Sequence, residues 1–94
     1  MTKDTIVAIL ETEGFKGSNK GFELPEGREI DCFIRSSADL LTVGKVHRIG
    51  LPETFVVLEN RKGERFFFAY EDVVGFKLGS DEGSKVRPAA GFFR

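Results

Sequence analysis

Between Phe55 and Leu78 the sequence runs strand-like three times, with only a four-residue turn and a two-residue corner as breaks. Residues 54–60 form the first run and residues 64–70 the second. Asn60-Arg61-Lys62-Gly63 lies between them and predicts a tight hairpin with Gly63 at a positive φ. Glu71-Asp72 makes the corner, and residues 73–78 form the third run. In the middle run Phe66, Phe68 and Tyr70 share one face, while Phe67 and Ala69 share the other. Neither face is simply wet: one meets the core, the other a packed element or a partner. Three short strands this close in sequence pair as neighbours and need more strands to cover them.

The rest of the chain supplies them. Residues 29–35 alternate strictly, with Ile30, Cys32 and Ile34 opposite Asp31, Phe33 and Arg35, which predicts a half-buried strand. Residues 40–49 predict another strand, in which Gly44 marks a sharp bend. Gly50 to Thr54 carries Pro52, which cannot donate to a ladder and so breaks the pairing. Upstream, residues 15–28 hold glycines, a proline and small polar residues, and read as a connector with a loose hairpin around Gly17 to Gly21. No Gly-Lys-Ser/Thr sequence follows those glycines, so they do not form a phosphate loop.

The first residues predict the chain's one helix, over residues 3–13. Ile6, Ile9, Leu10 and Glu13 follow three-four spacing, Thr2 or Asp4 caps the start, and Gly14 sits past the end. The β-branched Thr5, Ile6, Val7 and Ile9 oppose this, as do Glu11 and Glu13 at the wrong end of the helix dipole. The expected fold is therefore mainly β: an N-terminal helix followed by a five-stranded, strongly bent antiparallel small barrel. One domain spans residues 1–79, and residues 80–94 form a flexible tail that ends in Gly-Phe-Phe-Arg.

Composition narrows the function classes. The 94 residues carry a net charge of −1, so any nucleic-acid partner must be held by a local basic patch. Cys32 is the single cysteine and His47 the single histidine, which leaves no ligand set for a structural metal. A lone buried thiol suits a reducing, cytoplasmic setting. No apolar run is long enough to span a membrane, and the mixed charges of Lys3 and Asp4 do not resemble a secretory leader. The many carboxylates form no pair set apart by spacing, and neither Ser36 nor Ser37 sits in a nucleophile elbow. No enzyme and no cofactor is expected.

Three stretches resemble the Sm/Lsm-like ring-forming family. Gly44-Lys45-Val46 is similar to the bent second strand of that family, and Val56-Val57-Leu58-Glu59-Asn60 to the end of its first motif. Ala69-Tyr70-Glu71-Asp72-Val73-Val74-Gly75-Phe76 is similar to its second motif at the last corner. The resemblance covers residues 29–78. It implies a homo-oligomeric ring of about five to seven subunits, closed by pairing the fourth barrel strand of one copy with the fifth of the next. It also implies binding of RNA or single-stranded DNA. The chain departs from the family where RNA is read: Gly50 and Thr54 stand where the family has an Asp and an Asn, and Ala69-Tyr70 where it has Arg-Gly.

Candidate residues follow from these readings. Lys45, His47 and Arg48 form a basic run with a ring beside it, suited to phosphate contact and base stacking. Tyr70 at the corner offers another stacking surface, and Arg61 and Lys62 a second basic cluster at the hairpin. Phe66, Phe67, Phe68, Val73, Val74 and Phe76 are the expected oligomer interface. Two functions fit: a ring that binds nucleic acid, or an assembly adaptor whose partners are proteins alone.

Overall fold

A computed structural model describes residues 1–79. The expected tail lies outside the described residues, and with it Lys85, Arg87, Phe92, Phe93 and Arg94. The element order is α1 (Lys3–Thr12), β1 (Gly17–Ser18), β2 (Gly21–Glu23), β3 (Glu29–Ser36), β4 (Asp39–Gly50), β5 (Phe55–Asn60), β6 (Arg65–Ala69), a 3₁₀ turn (Tyr70–Asp72) and β7 (Val73–Gly79). The fold is mainly β, with one helix ahead of a strongly curled antiparallel sheet, as the sequence predicts.

Helix α1 forms in spite of its β-branched residues because both ends are closed. Thr5 N–H donates to Thr2 Oγ1 at 3.1 Å. At the far end Phe15 N–H reaches Leu10 O at 3.1 Å and Gly14 N–H reaches Glu11 O at 3.0 Å. Gly14 takes φ +87°, which makes this a Schellman stop with glycine in the left-handed position. Ile6 and Leu10, one turn apart, are fully buried in the same cluster as the inward residues of the sheet, so the helix joins the core through that stripe.

The sheet is organised by β4, the longest strand. Its first part pairs with β3, from Ser36↔Asp39 to Ile30↔Val46. Its last residues pair with β5 on one side and β2 on the other. The chain thus passes from a β7-β3-β4 layer into a β4-β5-β6 layer, and the curl encloses the core. Ile30, Cys32 and Ile34 of β3 point inward, as their alternation predicts. The inward residues of β4 do not alternate. Val43, Val46 and Ile49 are the buried ones, three apart. Two bulges account for this. Gly44 and Lys45 together face Asp31, and His47 is the extra residue between Val46↔Asn60 and Arg48↔Glu59. The bend expected at Gly44 therefore falls on a pair, and Lys45 rather than the glycine carries the positive φ, +57°.

A third irregularity sits in β7. The register with β3 steps between Phe33↔Gly75 and Ile34↔Val73, which makes Val74 the bulged residue. Val73 is turned into the core and Val74 out, so Val74 does not share the face of Phe76 and Leu78, which pack against the core, although period two along residues 73–78 would set the three together. The connector over residues 15–28 holds the short β1–β2 hairpin, close to the loose hairpin expected there, and β2 joins the main sheet through β4.

The β3–β4 hairpin turns at Ser37-Ala38, and Ser37 takes φ +51°, a conformation costly to any residue with a Cβ. Ser37→Gly is therefore expected to raise stability by about 0.5–1 kcal/mol. Thermal melting should register a rise of roughly 2–6 °C in Tm. An unchanged or lower Tm would mean that the serine is not strained there.

Candidate functional site

The residues that sequence reasoning singles out fall into three places. The first is the end of the sheet where β4 bulges beside the β5–β6 turn. Lys45 O accepts from Arg61 N–H at 3.1 Å, which joins the two basic clusters. Asn60 shapes this turn: its Oδ1 accepts from the N–H groups of Lys62 and Glu64, both at 3.0 Å, and its Nδ2 donates to Glu64 Oε1 at 2.8 Å. Gly63, at φ +85°, returns its N–H to Asn60 O, the turn the sequence predicts.

The cations in this region differ in how free they are. Arg48 Nη2 lies 3.2 Å from Glu23 Oε2, and its Nη1 lies 3.8 Å from Glu59 Oε1. Arg61 Nε lies 3.1 Å from Glu29 Oε2, and its Nη2 also donates to Pro25 O and Arg28 O at 3.3 Å. Such exposed pairs stabilise the fold by no more than about 1 kcal/mol each. Their consequence is local neutrality: a phosphate here must displace a carboxylate. Among the described residues, Lys45 and Lys62 are exposed and enter no ion pair.

Tyr70 is in the second place, the opposite end of β5. It follows Ala69, which pairs with Phe55, whereas the basic residues border Asn60. Five strand steps, on the order of 17 Å, separate the two levels. Its hydroxyl donates to Pro52 O, and burial, with the Glu53 carboxylate adding, raises its pKa and keeps it a donor. The N-terminal ammonium donates to Tyr70 O at 3.0 Å and Val73 O at 2.9 Å. Tyr70 thus ties together the chain start, the β4–β5 loop and the β6–β7 corner, and the structure does not bring it to Lys45, His47 and Arg48.

The third place is formed by the two outer strands. Among the described residues β6 pairs with β5 alone and β7 with β3 alone, so each has one edge without a partner there; the two-residue β1 likewise pairs with β2 alone. Of the six expected interface residues, Phe67 (59% exposed) and Val74 (45%) offer large outward surfaces. Phe66, Phe68 and Phe76 pack partly against the core, and Val73 belongs to this chain's own core. Sequence reasoning passed over Phe55, whose ring lies 6.0 Å from that of Phe67 across the β5–β6 pair. The signal was in the spacing, since Phe55 and Phe67 both fall on the outer parity of their strands.

Cys32 carries no reactive chemistry in the folded chain. It is fully buried, and burial, with the Asp31 charge adding, pushes its thiol up to about 12 from 9.0. A thiol raised on folding contributes its stability in full below the unfolded value and loses it between the two as pH rises. Native protein is expected to resist a thiol reagent at about pH 8 that labels the denatured chain at once. Alkaline melts should lose stability above about pH 9, and Cys32→Ala should flatten that loss. Rapid native labelling would contradict the buried placement.

Among the described residues, no group of three or more His, Cys, Asp or Glu is placed to hold a metal ion, and no helix is long and apolar enough to cross a membrane. The chain matches no family model, no curated protein and no solved structure.

Proposed function

We propose that this chain is a non-catalytic assembly module: a small half-barrel that joins copies of itself, the β6 edge of one against the β7 edge of the next. The observation that carries this reading is that, among the described residues, the strands flanking one corner, β6 and β7, each keep one edge unpaired, each beside an outward apolar group, Phe67 and Val74. A bare strand edge is a template for pairing. Two different edges on one subunit make a head-to-tail contact, which closes into a ring if the rotation per subunit allows it. The Sm/Lsm-like resemblance implies the same arrangement. Size-exclusion chromatography with light scattering tests it: a discrete oligomer is expected, and a monomer at high micromolar concentration overturns it.

A second reading, a ring that binds RNA or single-stranded DNA, is favoured by Lys45 in the β4 bulge and Lys62 in the β5–β6 turn, both exposed and in no ion pair among the described residues. Their small number points to weak, salt-sensitive binding. Fluorescence polarisation with labelled oligonucleotides at low and high salt separates the two readings. An oligomer that binds no oligonucleotide at low salt is an adaptor whose partners are proteins.

A further inference from the structure

We infer that the open cavity beside the β4 bulge binds a small organic anion with a planar body and hydrogen-bond donors, the chemistry a nucleoside monophosphate presents. The cavity encloses about 720 Å³ between the loop after α1, the segment after β2, and the side chains of His47 and Arg61. That volume lies within the roughly 300–1,000 Å³ typical of small-ligand sites. The inference is independent of the assembly reading and involves neither strand edge.

The cavity is lined by apolar groups and by solvent-accessible polar ones. Phe15 and Leu24, both nearly fully buried, form the floor with Pro25. The Arg28 guanidinium, which does not line the cavity, lies 4.9 Å over the Phe15 ring. On the rim, Glu23 and Arg61 are engaged by Arg48 and Glu29. Lys16, Glu26 and the His47 ring are not: none enters an ion pair or a side-chain hydrogen bond among the described residues. The wall is fixed, because Leu24 N–H donates to His47 O at 2.7 Å, and His47 is the bulged residue of its strand. Bulges re-aim side chains and gather beside functional sites.

Those free groups set the ligand chemistry. The Lys16 ammonium and an imidazole N–H call for an anionic group, and the Glu26 carboxylate accepts from hydroxyl or amine donors. The floor calls for an apolar face between them. Inorganic phosphate leaves the floor and Glu26 unused, and a fatty acid leaves Glu26 unused. A nucleoside monophosphate supplies the phosphate, the base and the ribose hydroxyls together. A free nucleotide and the phosphorylated end of an RNA share this chemistry.

Amide-resolved NMR titration of the full chain tests the inference, with adenosine and uridine monophosphates, inorganic phosphate, and a short 5′-phosphorylated oligoribonucleotide as probes. A monophosphate is expected to shift Phe15, Lys16, Leu24, Glu26 and His47 in a saturable way at millimolar ligand. Lys16→Glu should weaken binding by roughly tenfold or more, while Arg35→Glu, exposed beside the β3–β4 hairpin and outside the cavity, leaves it unchanged. Saturation by the oligonucleotide alone supports the inference and assigns the source to an RNA end; saturation by the free nucleotide supports it as a mononucleotide site. Shifts absent from the cavity, inorganic phosphate binding as tightly as the nucleotide, or a well-folded Lys16→Glu that binds like wild type would overturn it. The wild-type map decides the matter even if a variant fails to fold.

Discussion

Asn60→Ala is expected to lower the stability of the fold by about 2–3 kcal/mol, more than any other single polar change among the described residues. Among the described residues, Asn60 is the one polar residue in the buried set. Its Oδ1 satisfies the N–H groups of Lys62 and Glu64, and its Nδ2 satisfies Glu64 Oε1. Alanine removes all three contacts at once and leaves two turn N–H groups without their acceptor. The damage extends beyond the turn. Asn60 also pairs with Val46, the only β4 residue in register with both β3 and β5, so it sits where the two layers of the sheet meet. Chemical denaturation should show the loss as a lower midpoint at an unchanged slope. Lys62→Ala in the same turn should fall within about 0.5 kcal/mol of wild type, because its side chain is exposed and makes no ion pair. If Asn60→Ala costs under about 1 kcal/mol, the turn N–H groups find water and the side chain is not its organiser.

The sequence made the ends of elements more legible than their faces. Gly14, Gly63 and Pro52 act through their own backbone and Thr2 through a side chain that caps its own helix three residues on, so a local reading finds them. Strand β3 is legible for the same reason: its inward residues keep period two. Strand β4 is not. A bulge adds one residue and reverses the parity of everything beyond it, and its energetic reason lies on the partner strand. At Lys45 that reason is Asp31, whose Oδ1 accepts from Lys45 N–H at 3.3 Å and lies 3.3 Å from where a Cβ on Gly44 would stand. Two bulges in succession give the spacing Val43, Val46, Ile49, which no alternation predicts.

The candidate sites were partly hidden for a related reason. Lys45, His47 and Arg48 look like one basic run, yet Arg48 is taken up by Glu23, 25 residues away, and Arg61 by Glu29, 32 away. Charge counted along the chain ignores pairing across it. The cavity of Lys16, Glu26 and His47 was hidden altogether, because its three polar groups come from three segments that only the fold brings together.

Phe67→Lys combined with Val74→Lys is expected to reduce self-association at least 100-fold, with the fold retained. Burying most of an exposed Phe and Val face contributes about 3 kcal/mol at roughly 25 cal/mol per Å², and each 1.4 kcal/mol is about tenfold in affinity. A lysine on each edge adds repulsion, since the proposed head-to-tail pairing sets the β6 edge of one copy against the β7 edge of the next and so draws two ammonium groups into one small interface. In a closed ring every subunit makes this contact twice, so the loss compounds and light scattering should read a monomer. The fold survives because both positions already face outward; the main internal loss is the Phe55–Phe67 ring contact, about 0.5–1.5 kcal/mol. Leu40→Lys is the control. Leu40 is 56% exposed but lies at the β3–β4 hairpin tip on β4, which β3 separates from β7, and the variant's mass in solution should match wild type. If the double variant keeps the wild-type mass, association uses another surface. If Leu40→Lys alone dissociates the oligomer, that hairpin tip, rather than the open edges of β6 and β7, holds the copies together.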